Sequence, residues 1–204
     1  MTRTGRRRGS SLLDWIEVSL VTLGTLCIGW YVGAGAAAAH EQAALARELD
    51  ASRLALGGAL ANPSSPAAGL PVRSLVGRLE VPRVRLSAIA REGVDTRTLG
   101  VAVGHVPGTP LPGDWGNAAF AGHRDTFFRS LRRVRRGDEI VVTTPRATYR
   151  YLVTDTRVVN PEDVSVLDPT SRPTLTLVTC YPFDFIGSAP YRFVVRAAFQ
   201  QTPR

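Results

Sequence analysis

Two patterns of apolar residues divide this chain. From Val18 to Ala39 the run VSLVTLGTLCIGWYVGAGAAAA carries no charged side chain, about the ~20 residues that a helix needs to cross a bilayer. From Gly77 onward, apolar and polar residues alternate in short runs broken by Gly and Pro, the two-residue period of half-buried strands. Strands are predicted at Gly77–Pro82, Val84–Ile89, Ala118–His123, Glu139–Thr143, Thr148–Val153, Arg157–Val159, Thr174–Cys180 and Arg192–Phe199. Many short strands at close spacing indicate an all-β sandwich or barrel. One short helix is expected, Thr126–Arg136, with Asp125 or Thr126 as its cap and Gly137-Asp138 as its stop.

Between these regions, His40 to about Leu56 is rich in Ala, Leu, Glu and Arg and continues the helix past the apolar run. Gly57-Gly58 weakens it, and Asn62-Pro63-Ser64-Ser65-Pro66 ends it in a spacer. The expected organisation is a basic tail at 1–11, a transmembrane anchor at 12–39, a stalk and linker at 40–72, and a folded domain at 73–204. Arg3, Arg6, Arg7 and Arg8 precede the apolar run. Positive charge stays on the cytoplasmic side, so the N-terminus is expected inside and the domain outside. A cleaved secretory signal is the competing reading, although the run exceeds the ~7–15 residues of a signal core. Both readings export the domain.

The formal net charge is +8, and all 25 Lys+Arg residues are arginine. No lysine amine of this chain can therefore accept an acyl group. The basic run Arg132-Arg133-Val134-Arg135-Arg136 lacks interleaved aromatics. On an exported domain it reads as a solvated face near anionic lipid or wall polymer rather than a nucleic-acid site.

The chain has two cysteines. Cys27 lies in the apolar run and Cys180 at the end of a predicted strand, so Cys180 is expected to be a free thiol, rigidly held where the chain turns. His123 ends another strand and Arg192 opens the last one. Strand ends can meet at one rim of a closed sheet. By alternation Cys180 shares a face with Val178 and Thr176, and Arg192 with Val194 and Arg196.

Four segments together resemble the sortases, most of all their class D branch. They are Gly104-His105-Val106-Pro107-Gly108-Thr109, Ala121-Gly122-His123-Arg124-Asp125-Thr126-Phe127-Phe128, Thr176-Leu177-Val178-Thr179-Cys180-Tyr181-Pro182-Phe183 and Gly187-Ser188-Ala189-Pro190-Tyr191-Arg192-Phe193. The resemblance runs from about Gly77 to Phe199. It implies an eight-stranded sortase-type β-barrel with short helices behind an N-terminal transmembrane helix and helical stalk. It also implies Cys180 as nucleophile, His123 as general acid and base, and Arg192 as substrate and oxyanion partner.

Acyl transfer needs those three groups. A thiolate attacks the carbonyl, an imidazolium protonates the leaving amine, and a permanent cation meets the developing oxyanion. His105, Thr179 and Tyr181 are candidate substrate-binding residues, with a structural loop role as the alternative for His105 and simple packing for Thr179. Arg124 and Asp125 read as local fixers of His123, and Trp115 as a turn-packing aromatic. No cofactor is implied and no metal site is expected. The histidines are scattered, and Glu162, Asp163 and Asp168 in one loop are too few for a calcium site.

The implied activity is cleavage of an LPxT-like sorting signal of secreted proteins through a thioester. The acyl group would pass to an amine, expected to belong to a cell-wall precursor. An L,D-transpeptidase would carry a Ser/His-Gly-Cys-Arg type of motif, whereas Thr179 and Tyr181 flank Cys180 here. A catalytically silent surface module is the non-enzymatic alternative.

Overall fold

A computed structural model describes residues 12–57 and 70–200. The basic tail expected at 1–11 and the spacer around Asn62–Pro66 lie outside the described residues. The chain divides at His40/Glu41 into two compact units. The helix α1, Leu12–Gly57, runs through the division. Within the first unit its described side chains are exposed, and α1 is long and apolar enough to cross a membrane.

In the second unit, eight strands close into a barrel: β1 Leu75–Val81, β2 Leu86–Glu92, β3 Val103–His105, β4 Asn117–Ala121, β5 Glu139–Thr143, β6 Thr148–Val159, β7 Thr174–Tyr181 and β8 Tyr191–Phe199. Their order around the barrel is β1-β2-β3-β4-β7-β8-β6-β5. β4 and β7 are parallel, while β7 and β8 are antiparallel. Closure removes every unpaired strand edge. Leu79, Phe120, Ile140, Tyr151, Leu175, Leu177 and Val195 fill the interior, and the other face of each strand points outward.

Several sequence expectations are refined. The two runs Thr148–Val153 and Arg157–Val159 form one strand, with a register irregularity between Val153 and Asp155. At that irregularity the Thr154 hydroxyl donates to the Arg196 carbonyl at 3.1 Å. The interruption read as a break is a local bulge. Strand β3 and helix α2, Thr96–Val101, are too short to show a period; Asp95 caps α2 by accepting from the Arg97 and Thr98 amides. The helix expected at Thr126–Arg136 shrinks to a 3₁₀ turn at Arg129–Arg133, whose N-cap is Phe128. Asp125 does not cap it, because its carboxylate is taken by Arg124 at 3.1 Å.

Helix continues past His40 as expected, but Glu41–Gly57 is strapped across the outside of the barrel. Gln42 accepts from the Ile89 amide at 2.8 Å and donates to the Val101 carbonyl. Leu45 and Leu49 bury against Ile89, and Arg53 reaches the Thr148 hydroxyl. Strand β3 pairs with β2 only from Ala90 onward, so the Ile89 amide needs an acceptor, and a helix side chain supplies it.

Candidate active site

Cys180 and Arg192 lie directly opposite each other in the β7–β8 ladder. Opposed residues of an antiparallel pair project to the same face with Cβ atoms ~4.5–5.5 Å apart. Thr179, Leu177 and Leu175 point toward the core, so by alternation Cys180 points outward, with Val178 and Thr176. The thiol is free and half-buried.

His123 enters from the strand on the other side of β7. Ala121 pairs with Val178 in the parallel β4–β7 ladder. His123 and Cys180 each lie two residues further along, at the same end of the barrel. Four contacts fix the backbone there. The Gly122 amide donates to the Val178 carbonyl at 3.2 Å, and the Thr179 hydroxyl donates to the Gly122 carbonyl at 2.7 Å. The Phe128 amide donates to the His123 carbonyl at 3.1 Å, and the Arg124 guanidinium donates to the Pro182 carbonyl at 2.7 Å. Gly122 is required by close approach, since a Cβ there would sit 2.9 Å from the buried Phe128 ring. The His123 side chain itself is exposed. Three neighbouring strands, β4, β7 and β8, thus bring an imidazole, a thiol and a guanidinium to one rim.

The other candidates fall elsewhere. Thr179 is buried and its hydroxyl is committed to Gly122. Tyr181 lies on the inward-facing register with Thr179. Its ring meets Phe193 in a stacked geometry at 6.2 Å and Phe183 edge-on at 5.9 Å, closing the barrel end beneath the rim. His105 is not brought to Cys180. It pairs with Phe120 on the inner face, is 2% exposed, and holds Glu92 through Nδ1 at 2.6 Å. Its Nε2 donates to the Pro110 carbonyl at 2.9 Å. His105 and Glu92 therefore form an internal, buried polar pair. A cavity of about 480 Å³ beside them is lined by Glu92, His105, Asp114 and Trp115 and does not include Cys180.

Sequence reasoning missed Asn117. This fully buried side chain donates to the Val166 carbonyl at 2.9 Å and the Asp168 carbonyl at 3.3 Å, and accepts from the Thr176 hydroxyl at 2.6 Å. Arg196 also donates to the Val166 carbonyl, at 3.2 Å. The β6–β7 loop is thereby pinned over the outer wall of β4, β7 and β8 that leads to Cys180. An asparagine at the start of a strand gives no signal of this in sequence, because its partners are 49 and 59 residues away. Glu162, Asp163 and Asp168 gather into no metal-holding cluster among the described residues.

A closed eight-stranded barrel with a free thiol, a histidine and an arginine at the ends of three adjacent strands defines a sortase-type architecture. The Sortase domain family model matches residues 79–200, and the chain belongs to the sortase family. Sortase D of Bacillus subtilis is 32% identical over 120 residues, covering 58% of this chain and 61% of that one. Sortase A of Listeria monocytogenes is 29% identical in its crystal structure, with a TM-score of 0.57 over 62% of this chain and 88% of that one. A Clostridium perfringens sortase D5 transpeptidase shares the fold, with a TM-score of 0.67 at 22% identity, over 79% of this chain and 99% of that one. The chain spans about three fifths of the length of the first curated relatives it matches.

Proposed function

We propose that this chain is a membrane-anchored cysteine transpeptidase that cleaves an LPxT-like sorting signal near the C-terminus of secreted proteins. The observation that carries the reading is the cross-strand pairing of Cys180 with Arg192, with His123 at the same rim from β4. Family membership supports the reaction class. The apolar helix supports the anchor, with the N-terminus cytoplasmic and the barrel outside, by the charge asymmetry around the run.

The Cys180 thiolate attacks the threonine carbonyl carbon, forming a C–S bond as negative charge moves to the carbonyl oxygen. Arg192, opposite the sulfur, meets that charge with its guanidinium. Collapse breaks the C–N bond, and the His123 imidazolium gives its proton to the leaving amine. A thioester on Cys180 remains. An incoming amine, which we assign to a cell-wall peptide precursor, attacks the thioester and gives a proton to neutral His123. The C–S bond breaks and the thiolate returns. The chain's lack of lysine means that it cannot acylate itself through a side-chain amine.

The test is a fluorogenic LPxT peptide with and without an amine acceptor. Cleavage accelerated by the amine, with the product joined to it and a thioester trapped on Cys180, is expected. Equal turnover by Cys180→Ala would refute the reading.

A further inference from the structure

The loop from Pro182 to Pro190 that joins β7 to β8 leaves two large apolar side chains in solvent. Ile186 is 97% exposed and Phe185 is 43% exposed. Gly187, at φ +101°, turns the chain immediately afterwards. Neither residue belongs to the barrel core, although Phe183 of the same loop packs against it. The two side chains therefore form a small convex apolar tip beside the rim that carries Cys180.

Positive charge lies on the loop beside this tip. In the β4–β5 loop Phe128, Leu131 and Val134 turn inward, so Arg129, Arg132, Arg133, Arg135 and Arg136 are exposed. The two loops touch. Arg132 lies 3.8 Å from Asp184, next to Phe185, and Arg124 ties the same pair of loops through the Pro182 carbonyl. Arg133 also reaches the Val84 carbonyl at 3.1 Å, which joins the exposed Arg85 region to the patch. Against these stand two exposed carboxylates, Asp184 and Asp125.

Two apolar side chains are far less than the ~1,000 Å² that a stable protein interface buries. They are, however, what an interfacial anchor presents: apolar groups that enter the headgroup boundary, with arginine beside them facing anionic lipid. The same chain carries a helix apolar enough to cross a membrane, so a lipid surface is the partner it meets at high local concentration. We propose that this pole of the barrel docks on an anionic bilayer surface. Phe185 and Ile186 enter the headgroup boundary, and Arg129, Arg132, Arg135 and Arg136 meet lipid phosphates. Docking would hold the Cys180 rim close to the bilayer surface. The lipid contact itself does not depend on any catalytic role of Cys180.

The test uses the full chain in vesicles, with an environment-sensitive dye on Ile186→Cys in a Cys27→Ser, Cys180→Ala background. A second chain carries the dye on Trp115→Cys, an exposed site beside the His105 cavity. Lipids bearing a nitroxide on the acyl chain quench dyes that enter the boundary. With phosphatidylglycerol mixed into phosphatidylcholine, the dye at 186 should shift to the blue and be quenched, while the dye at 115 should not. In phosphatidylcholine alone both should stay in water. Each basic residue at an anionic surface strengthens binding roughly fivefold, so Arg132→Gln with Arg136→Gln should lower the docked fraction relative to the free one by about 25-fold. Circular dichroism of every variant checks that it is folded, and no turnover is measured, so failure of the transpeptidase reading leaves the result intact. Equal quenching at 186 and 115, quenching that ignores phosphatidylglycerol, or a dye at 186 that answers only to added sorting peptide would each overturn the proposal.

Discussion

Cys180 and Arg192 occupy one cross-strand pair, twelve positions apart in sequence and directly opposed in the β7–β8 ladder. Their separation is set by backbone hydrogen bonding rather than by loop conformation, so it should survive substitution of either side chain. The Arg192 guanidinium donates to the Ala189 and Tyr191 carbonyls at 3.2 and 3.0 Å, which restrains its reach. Arg192→Ala should lower kcat by about 10²–10³, the usual loss on removing an oxyanion donor. Arg192→Lys should recover only part, since an ammonium cannot reproduce a planar fork. Peptide kinetics on both variants check this, with the Cys180 alkylation rate as the control for an intact fold.

Arg124 ties the segment carrying His123 to the segment that follows Cys180. Its side chain is 7% exposed, its Nη1 donates to the Pro182 carbonyl at 2.7 Å, and Asp125 neutralises its Nε side. Arg124→Ala leaves that carbonyl without its donor and should cost about 1.5–3 kcal/mol of stability. Because the lost contact positions His123, kcat should fall while KM changes little, and the pH–rate profile should shift or narrow. Loss of stability with an unchanged kcat and pH profile would mean that Arg124 only holds the fold.

Asn117 is the hub of the outer wall. Asn117→Leu keeps the branched shape but strips partners from the Val166 and Asp168 carbonyls and from the Thr176 hydroxyl. The expected cost is about 1–3 kcal/mol. Hydrogen exchange should accelerate selectively in the β6–β7 loop, and KM for the peptide should rise.

Acid should loosen α2 before the rest of the barrel. The Thr98 hydroxyl and amide, with Arg73, lower the Asp95 carboxyl from 3.8 to about 2. A depressed folded-state value means that the contribution to stability is present above pH ~4 and is lost as pH falls toward ~2. The melting temperature of Asp95→Asn should therefore lie below that of the parent near neutrality and converge with it toward pH ~2. A constant difference across that window would exclude the linkage.

Leu49 is fully buried where the strapped part of α1 meets Ile89. Leu49→Ala should cost about 2–5 kcal/mol of the helix–barrel contact. Proteolysis should then cut within Glu41–Gly57 before it cuts the barrel. Simultaneous cutting at both places would show that strap and barrel unfold together.

Local pattern made much of this molecule legible. Alternation located most of the strands because each has one face in the barrel core. The long uncharged run marked the apolar helix, and the motif around Cys180 was readable because its neighbours are sequential. Features held by distant partners were not readable. Strand β3 has three residues and exists through pairing with β2 and β4. The Glu41–Gly57 strap has the composition of any solvated helix, and only the unpaired Ile89 amide explains why Gln42 lands where it does. His105 sits in a site-like motif, yet its pairing with Phe120 turns it into the barrel.

The sequence by itself determined which residue types are available, the β character of the domain, the apolar helix, and the presence of one free thiol at a strand end. The tertiary structure decided the rest: the parallel β4–β7 and antiparallel β7–β8 registers that carry His123 and Arg192 to either side of Cys180, and the outward face on which the thiol lies. The physical reason is that local sequence sets side-chain periodicity within a strand, whereas register between strands is set by closing the whole hydrogen-bonded sheet around a shared core.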